Sequence, residues 1–180
     1  YAIAKISGVK LIEALRKQYI RDYVSLMPTN LYGPNDNFDL KTSHVLPAMI
    51  RKFHEAKENN HAKVTLWGSG SPMREFLHVD DLGQAVLFAL EHKLEKHLYN
   101  VGSGNDLTIK ALAEIIQKVV GHKGEVIWDD TKPDGTPKKL MDSSKLNAKG
   151  WSSTINLEKG IKTTHEWFLD HNESFKEIKF

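Results

Sequence analysis

Apolar residues recur along this 180-residue chain with two alternating periods. Between residues 2 and 20, Ile6, Val9, Leu11, Ile12 and Leu15 fall at helical spacing. A short run at residues 23–27, stopped by Pro28, reads as a buried strand. Residues 29–43 carry Asn30, Gly33, Pro34, Asn35, Asp36 and Asn37, which are loop formers. A helix is expected over about 45–59, a strand at 63–67 ended by Gly68 to Pro72, and a further extended run at 74–79. Asp80 and Asp81 stand where an N-cap and a first-turn acid belong, before a helix at 82–93. Residues 98–101 read as a strand closed by the turn Gly102-Ser103-Gly104, and Thr108 opens an amphipathic helix that runs to Val120. A strand at 125–128, a polar loop at 129–138 and a helix at about 156–170, with Leu157, Ile161, Trp167 and Phe168, complete the pattern. Helices and strands alternate throughout, which predicts an α/β fold whose last 80 or so residues form a smaller α/β unit. No internal repeat and no linker rich in Gly, Ser or Pro divides the chain.

Composition adds exclusions. With 40% hydrophobic and 27% charged residues the chain is ordinary for a globular protein and unlike a disordered or collagenous one. Lys and Arg total 25 against 23 Asp and Glu, and the signs alternate, so no basic face for nucleic acid is expected. No run approaches the roughly 18 apolar residues of a membrane helix, and no basic start precedes an apolar stretch as in a signal peptide. The cysteine count is 0, which removes disulfides and thiolate metal sites and fits a reducing cytoplasm. The chain begins at Tyr1 and its first methionine is Met27, as expected of a processed, trimmed or partial polypeptide.

The first candidate chemistry is Tyr1-Ala-Ile-Ala-Lys5. Positions i and i+4 share a helix face, and a lysine cation beside a phenol favours the phenolate. Such a pair can pass a proton in carbonyl reduction or alcohol oxidation. Taken alone, the spacing also fits surface decoration. Other residues have plain readings as well. Trp67 reads as strand-end core, Arg74 as a surface arginine, and His78 as structural. Gly68–Gly70 and Gly102–Gly104 read as turns, because Met73 and Leu107 stand where GxGxxG needs its third glycine. Asp80 and Asp81 have no third ligand at metal spacing, and His165 lacks the second histidine of HExxH. His54, His61 and His122 read as solvent-facing, and residues 172–180 as a charged tail on the last helix.

The order YAIAK, PTNLYGP (28–34), WGSGSPMREFLHVDD (67–81) and YNVG (99–102) resembles the extended short-chain dehydrogenase/reductase superfamily. SHVLPAMIRKFHEA (43–56) and KPDGTPKKLMD (132–142) narrow the likeness to its nucleotide-sugar enzymes acting on GDP-4-keto-6-deoxy-D-mannose. The resemblance implies the C-terminal portion of an NAD(P)-binding Rossmann-type doubly wound fold plus a small α/β substrate-binding domain. Residues 1–33 and 79–102 would belong to the dinucleotide-binding domain, 34–78 and 103–180 to the substrate domain. It further implies C3/C5 epimerisation and C4 reduction with NADP(H), and a homodimer built largely on the helix that bears Tyr1 and Lys5.

By the same resemblance, Tyr1 is the acid at the C4 oxygen, and Lys5 is its partner and a ligand of the nicotinamide ribose. Pro28, Thr29, Asn30 and Leu31 lie against the nicotinamide end. His44 is the epimerisation acid and touches the cofactor. Lys52, Trp67, Arg74, Asp134 and Lys139 take the GDP half, with Arg74 on the pyrophosphate and Asp134 accepting from guanine or ribose. The family's glycine-rich turn, catalytic serine and cysteine base precede its YxxxK motif, so about 130 residues of a half-domain are expected to be missing here. Three functions therefore stand open: the catalytic and substrate-binding part of such an enzyme, a non-catalytic fragment, or a related nucleotide-sugar epimerase or dehydratase.

Overall fold

In the computed structural model, which describes residues 1–171, helix α1 (Ala2–Tyr19) leads into strands β1 (Ser25–Pro28) and β2 (Asn30–Tyr32) and helix α2 (Val45–Glu58). Next come β3 (Lys63–Trp67), β4 (Met73–His78), α3 (Val79–Glu91), β5 (Leu98–Val101), β6 (Asp106–Thr108) and α4 (Ile109–Val120). β7 (Glu125–Asp129), β8 (Lys138–Lys139), α5 (Ser144–Asn147) and α6 (Leu157–His171) follow. The tail expected at 172–180 lies outside the described residues.

Parallel pairing dominates, as expected where helices cross over between strands. β1 runs beside β5, Ser25 opposite Leu98 and Pro28 opposite Val101. β3 runs beside β7 from Lys63–Glu125 to Trp67–Asp129. β4 is the hub of the third sheet: parallel to β2 and β8, antiparallel to β6. Two apolar cores result. The larger joins Leu46, Ile50 and Phe53 of α2 to Leu112 and Ile116 of α4 and to Ile161 and Phe168 of α6. The smaller joins Leu77, Ala85, Tyr99, Val101, Leu146 and Trp151. The α/β class is thus as predicted.

α4 keeps its predicted bounds. Thr108 Oγ1 accepts the Ala111 N–H at 3.0 Å, and Gly121 in the left-handed region (φ 81°) ends the helix. Elsewhere the structure corrects the pattern. α3 starts at Val79, not 82, and its cap is His78, whose Nδ1 accepts the Asp80 N–H at 3.2 Å; both aspartates lie in the first turn. An unprotonated ring nitrogen here does what a capping carboxylate would. β2 falls in a stretch expected to be loop, β8 begins at the end of another, and β6 lies between the 102–104 turn and Thr108, where no strand is expected. Their extended form is set by pairing with β4, which local composition does not encode.

Trp67 is not core: it is 70% exposed, because β3 alternates and turns Val64 and Leu66 inward but Lys63, Thr65 and Trp67 outward. His122 is buried rather than solvent-facing, its Nε2 3.0 Å from the His61 carbonyl and its ring tilted on Phe53. His54 is half-buried, edge-on to Phe168 and to His165. Both sit on α2–α4–α6 packing surfaces that a residue-by-residue reading cannot see.

Candidate active site

Tyr1 stands at the N-terminus of α1, and the first turn brings the Lys5 ammonium to 5.3 Å from the Tyr1 ring centre. The pair opens on a cleft of about 910 Å³. The same cleft is lined by Pro28, Thr29, Asn30, Leu31 and His44, so every residue proposed for catalysis or cofactor contact reaches one cavity. The turn after β1 is pinned from several sides. Thr29 N–H donates to the Val101 carbonyl at 3.0 Å, and Asn30 Nδ2 donates to the Glu75 carbonyl at 2.7 Å. The turn lies at the carboxyl end of parallel strands, the edge where open α/β sheets bind ligands. His44 is the N-cap of α2 in an extended conformation, and its side chain makes no capping bond, so the helix does not consume the imidazole.

The residues proposed for the GDP half form a second group that does not line this cleft. α2 links the two. It carries His44 at its start and Lys52 about 12 Å further along, at roughly 1.5 Å per residue. Lys52 Nζ donates to the Thr65 carbonyl at 3.2 Å and lies 5.8 Å from the Trp67 ring; burial lowers its pKa. Lys132 Nζ lies 5.9 Å from the same ring.

The loop between β7 and β8 folds back onto this region. Asp134 accepts from the Ser69 N–H at 2.9 Å and the Ser69 hydroxyl at 2.6 Å, bonds that hold its carboxyl below the usual range. Asp134 is therefore already engaged as a clamp between the loop and the 68–70 turn. Arg74 Nη1 donates to the Thr136 carbonyl at 2.6 Å, and Arg74 lies opposite Lys139 across β4 and β8. Gly68 and Gly70 adopt φ of 80° and 75° and serve as turns; a Cβ on Gly70 would sit 2.9 Å from the Trp128 ring.

His78 and Asp81 are structural, as expected. His78 is buried, which lowers its pKa, and Asp81 accepts from Thr154 N–H, Thr154 Oγ1 and Ile155 N–H at 3.0, 3.0 and 3.1 Å. Three residues escaped the sequence reading. Asp36 lines the cleft, its carboxyl raised by burial against the pull of the Asn37 N–H and of His44. Lys132 opens the KPDGTPKK stretch, in which the resemblance picks out only Asp134 and Lys139. Glu75 is entirely buried, and nothing in its sequence context, between Arg74 and Phe76, announces it.

The parallel pairing, with a Tyr–Lys pair beside the carboxyl ends of the strands, fits part of a Rossmann-like α/β fold. The NAD dependent epimerase/dehydratase family matches residues 1–102, and the chain belongs to that family. "Probable GDP-L-fucose synthase 1" of Oryza sativa subsp. japonica is 54% identical over 176 residues, which cover 98% of this chain and 54% of that protein. "GDP-L-fucose synthase" of Escherichia coli (strain K12) is 52% identical over 185 residues, covering 98% of this chain and 58% of that protein. Among solved structures, a GDP-L-fucose synthetase from Naegleria fowleri bound to NADP superposes with a TM-score of 0.87 at 27% identity, over 98% of this chain and 57% of that one. The chain thus spans a little over half the length of the curated relatives it matches.

Proposed function

We propose that residues 1–180 form the catalytic-tyrosine and substrate-binding part of a GDP-L-fucose synthase. Such an enzyme converts GDP-4-keto-6-deoxy-D-mannose to GDP-L-fucose by epimerising C3 and C5 and reducing C4 with NADPH. The observation that carries this reading is the meeting of Tyr1, Lys5, the 28–31 turn and His44 on one cleft. The cleft fits the nicotinamide end of NADP(H), which Lys5 and residues 28–31 would hold, with His44 beside it. When bound, the reduced nicotinamide supplies the hydride for C4.

Tyr1 gives its phenolic proton to the C4 oxygen, so the ketone becomes an alcohol and the tyrosine a phenolate. Lys5 stands beside it, its ammonium 5.3 Å from the ring centre. The protons at C3 and C5 are acidic because the neighbouring ketone takes the electron pair as an enolate. His44 returns a proton to that carbon, a task suited to an imidazole near neutral pH. The resemblance assigns removal of that proton to a cysteine base, and residues 1–180 hold 0 cysteines. Lys52, Arg74 and Lys139 face the diphosphate, Trp67 offers a ring to the nucleoside, and Asp134 holds the loop over it. Residues 1–33 and 79–102 act with the dinucleotide-binding domain, and 34–78 and 103–180 as the substrate domain. The enzyme works as a cytoplasmic homodimer.

The test is a pair of variants in the full-length enzyme. Tyr1→Phe is expected to stop NADPH consumption at 340 nm while C3/C5 deuterium exchange, followed by NMR, continues. His44→Gln is expected to slow exchange first. Loss of both activities together in Tyr1→Phe would count against separate proton machinery.

A further inference from the structure

We propose that Glu75 is a positioning residue whose buried carboxyl group ties the 102–104 turn and the segment after β8 to β4, while its main-chain carbonyl holds the 28–31 turn, an inference that rests on the reading of the site given above. Glu75 lies on β4 between Arg74 and Phe76 and is 0% exposed. Because side chains alternate along a strand, Arg74 and Glu75 point to opposite faces. Its Oε1 accepts the Gly104 N–H at 2.7 Å, and its Oε2 accepts the Met141 N–H at 3.1 Å. Its main-chain carbonyl accepts Asn30 Nδ2 at 2.7 Å and Thr29 Oγ1 at 3.4 Å. Gly102 leaves room for the carboxylate: a Cβ there would overlap Glu75 Oε1 and sit 2.9 Å from Ser143 Oγ.

One residue of β4 therefore meets three other segments: the 28–31 turn, the 102–104 turn, and the segment that follows β8. Met141 is two residues past Lys139, which stands opposite Arg74. Catching the Met141 N–H keeps those two cations side by side. Stability alone would favour an apolar side chain at this site, because a buried carboxylate is costly to desolvate. Charge-assisted bonds to two backbone N–H groups repay that cost by fixing loop positions. The segment so fixed at Met141 follows Lys139, one of the residues assigned to the diphosphate.

The experiment measures Kd for NADP⁺ and for GDP by calorimetry on the full-length enzyme, with a thermal melt of each variant. Glu75→Gln keeps one acceptor oxygen and turns an amide NH₂ on the other donor. The longer bond, to Met141, is the one given up. The expected result is a rise of at least tenfold in Kd for GDP with less than a threefold change for NADP⁺. Met141→Pro, which removes the N–H and leaves Glu75 in place, is expected to show the same GDP-selective loss and serves if Glu75→Gln fails to fold. An unchanged GDP Kd in the folded variants would overturn the inference. So would a parallel weakening of both ligands that tracks the folded fraction, which a purely structural role predicts. A wild-type enzyme that binds neither ligand would instead defeat the reading of the site itself.

Discussion

At Trp67 and Gly160 a single position can be followed from pattern to consequence. Trp67 carries a large apolar ring at a strand end, yet β3 alternation leaves it 70% exposed, with the ammonium groups of Lys52 and Lys132 5.8 and 5.9 Å from the ring centre. Removing an exposed ring costs little folding energy, within about 0.5 kcal/mol. Trp67→Ala should therefore leave the urea midpoint unchanged while weakening GDP binding several-fold by calorimetry. A shifted midpoint with unaltered GDP affinity would make the ring structural. Gly160 is the opposite case. It is buried in α6, and a Cβ there would overlap the Tyr32 hydroxyl and lie 3.1 Å from His78 Cδ2. Gly160→Ala should destabilise the fold by about 1–3 kcal/mol in urea unfolding. Helix propensity alone predicts a gain of up to about 1 kcal/mol, so the sign of the change separates the two effects.

At the scale of elements, α2, α4 and α6 were legible because each keeps its helical apolar stripe. α4 was legible to the residue, since Thr108 and Gly121 punctuate it. β2 and β8 were not legible, because β4 makes them strands, and α3 was misplaced by three residues because its cap is a histidine. The helix–helix contacts hold a titratable group that no spacing reveals. His165 on α6 is 7% exposed, and burial, with His54 and Lys57 nearby, holds its pKa at about 4. The unfolded imidazole titrates near 6.5. As pH falls below that value the unfolded chain binds the proton first, so stability falls from pH 6.5 toward 4 and no further on this account. The loss between pH 7.5 and 5 should be on the order of 2 kcal/mol. His78, also lowered by burial, acts in the same direction. Urea unfolding at those two pH values tests this. His165→Phe should flatten the slope; an unchanged slope would assign the pH dependence to other groups.

For the whole molecule, the cleft collects the residues proposed for catalysis and cofactor contact, while those proposed for the nucleotide lie on α2, β3, β4 and the loop and strand that follow β7. What the sequence concealed is the way β4 unites them, because the pairing of Arg74 with Lys139 and the burial of Glu75 arise only on folding. The outer surface points the same way. α1 buries no residue, and Ile3, Ile6 and Leu11 are 78, 59 and 58% exposed. On α3, Leu87 and Leu90 are 50 and 78% exposed. Residues 1–180 contain neither a GxGxxG turn nor a cysteine base. We therefore expect the 180-residue chain alone to consume no NADPH with the keto sugar at 340 nm. The Lys52, Trp67 and Arg74 group is built wholly within it, so GDP should still bind in calorimetry. Sustained loss of absorbance would mean that the cleft at Tyr1, Lys5 and His44 suffices for turnover without a glycine-rich phosphate cradle or a cysteine base.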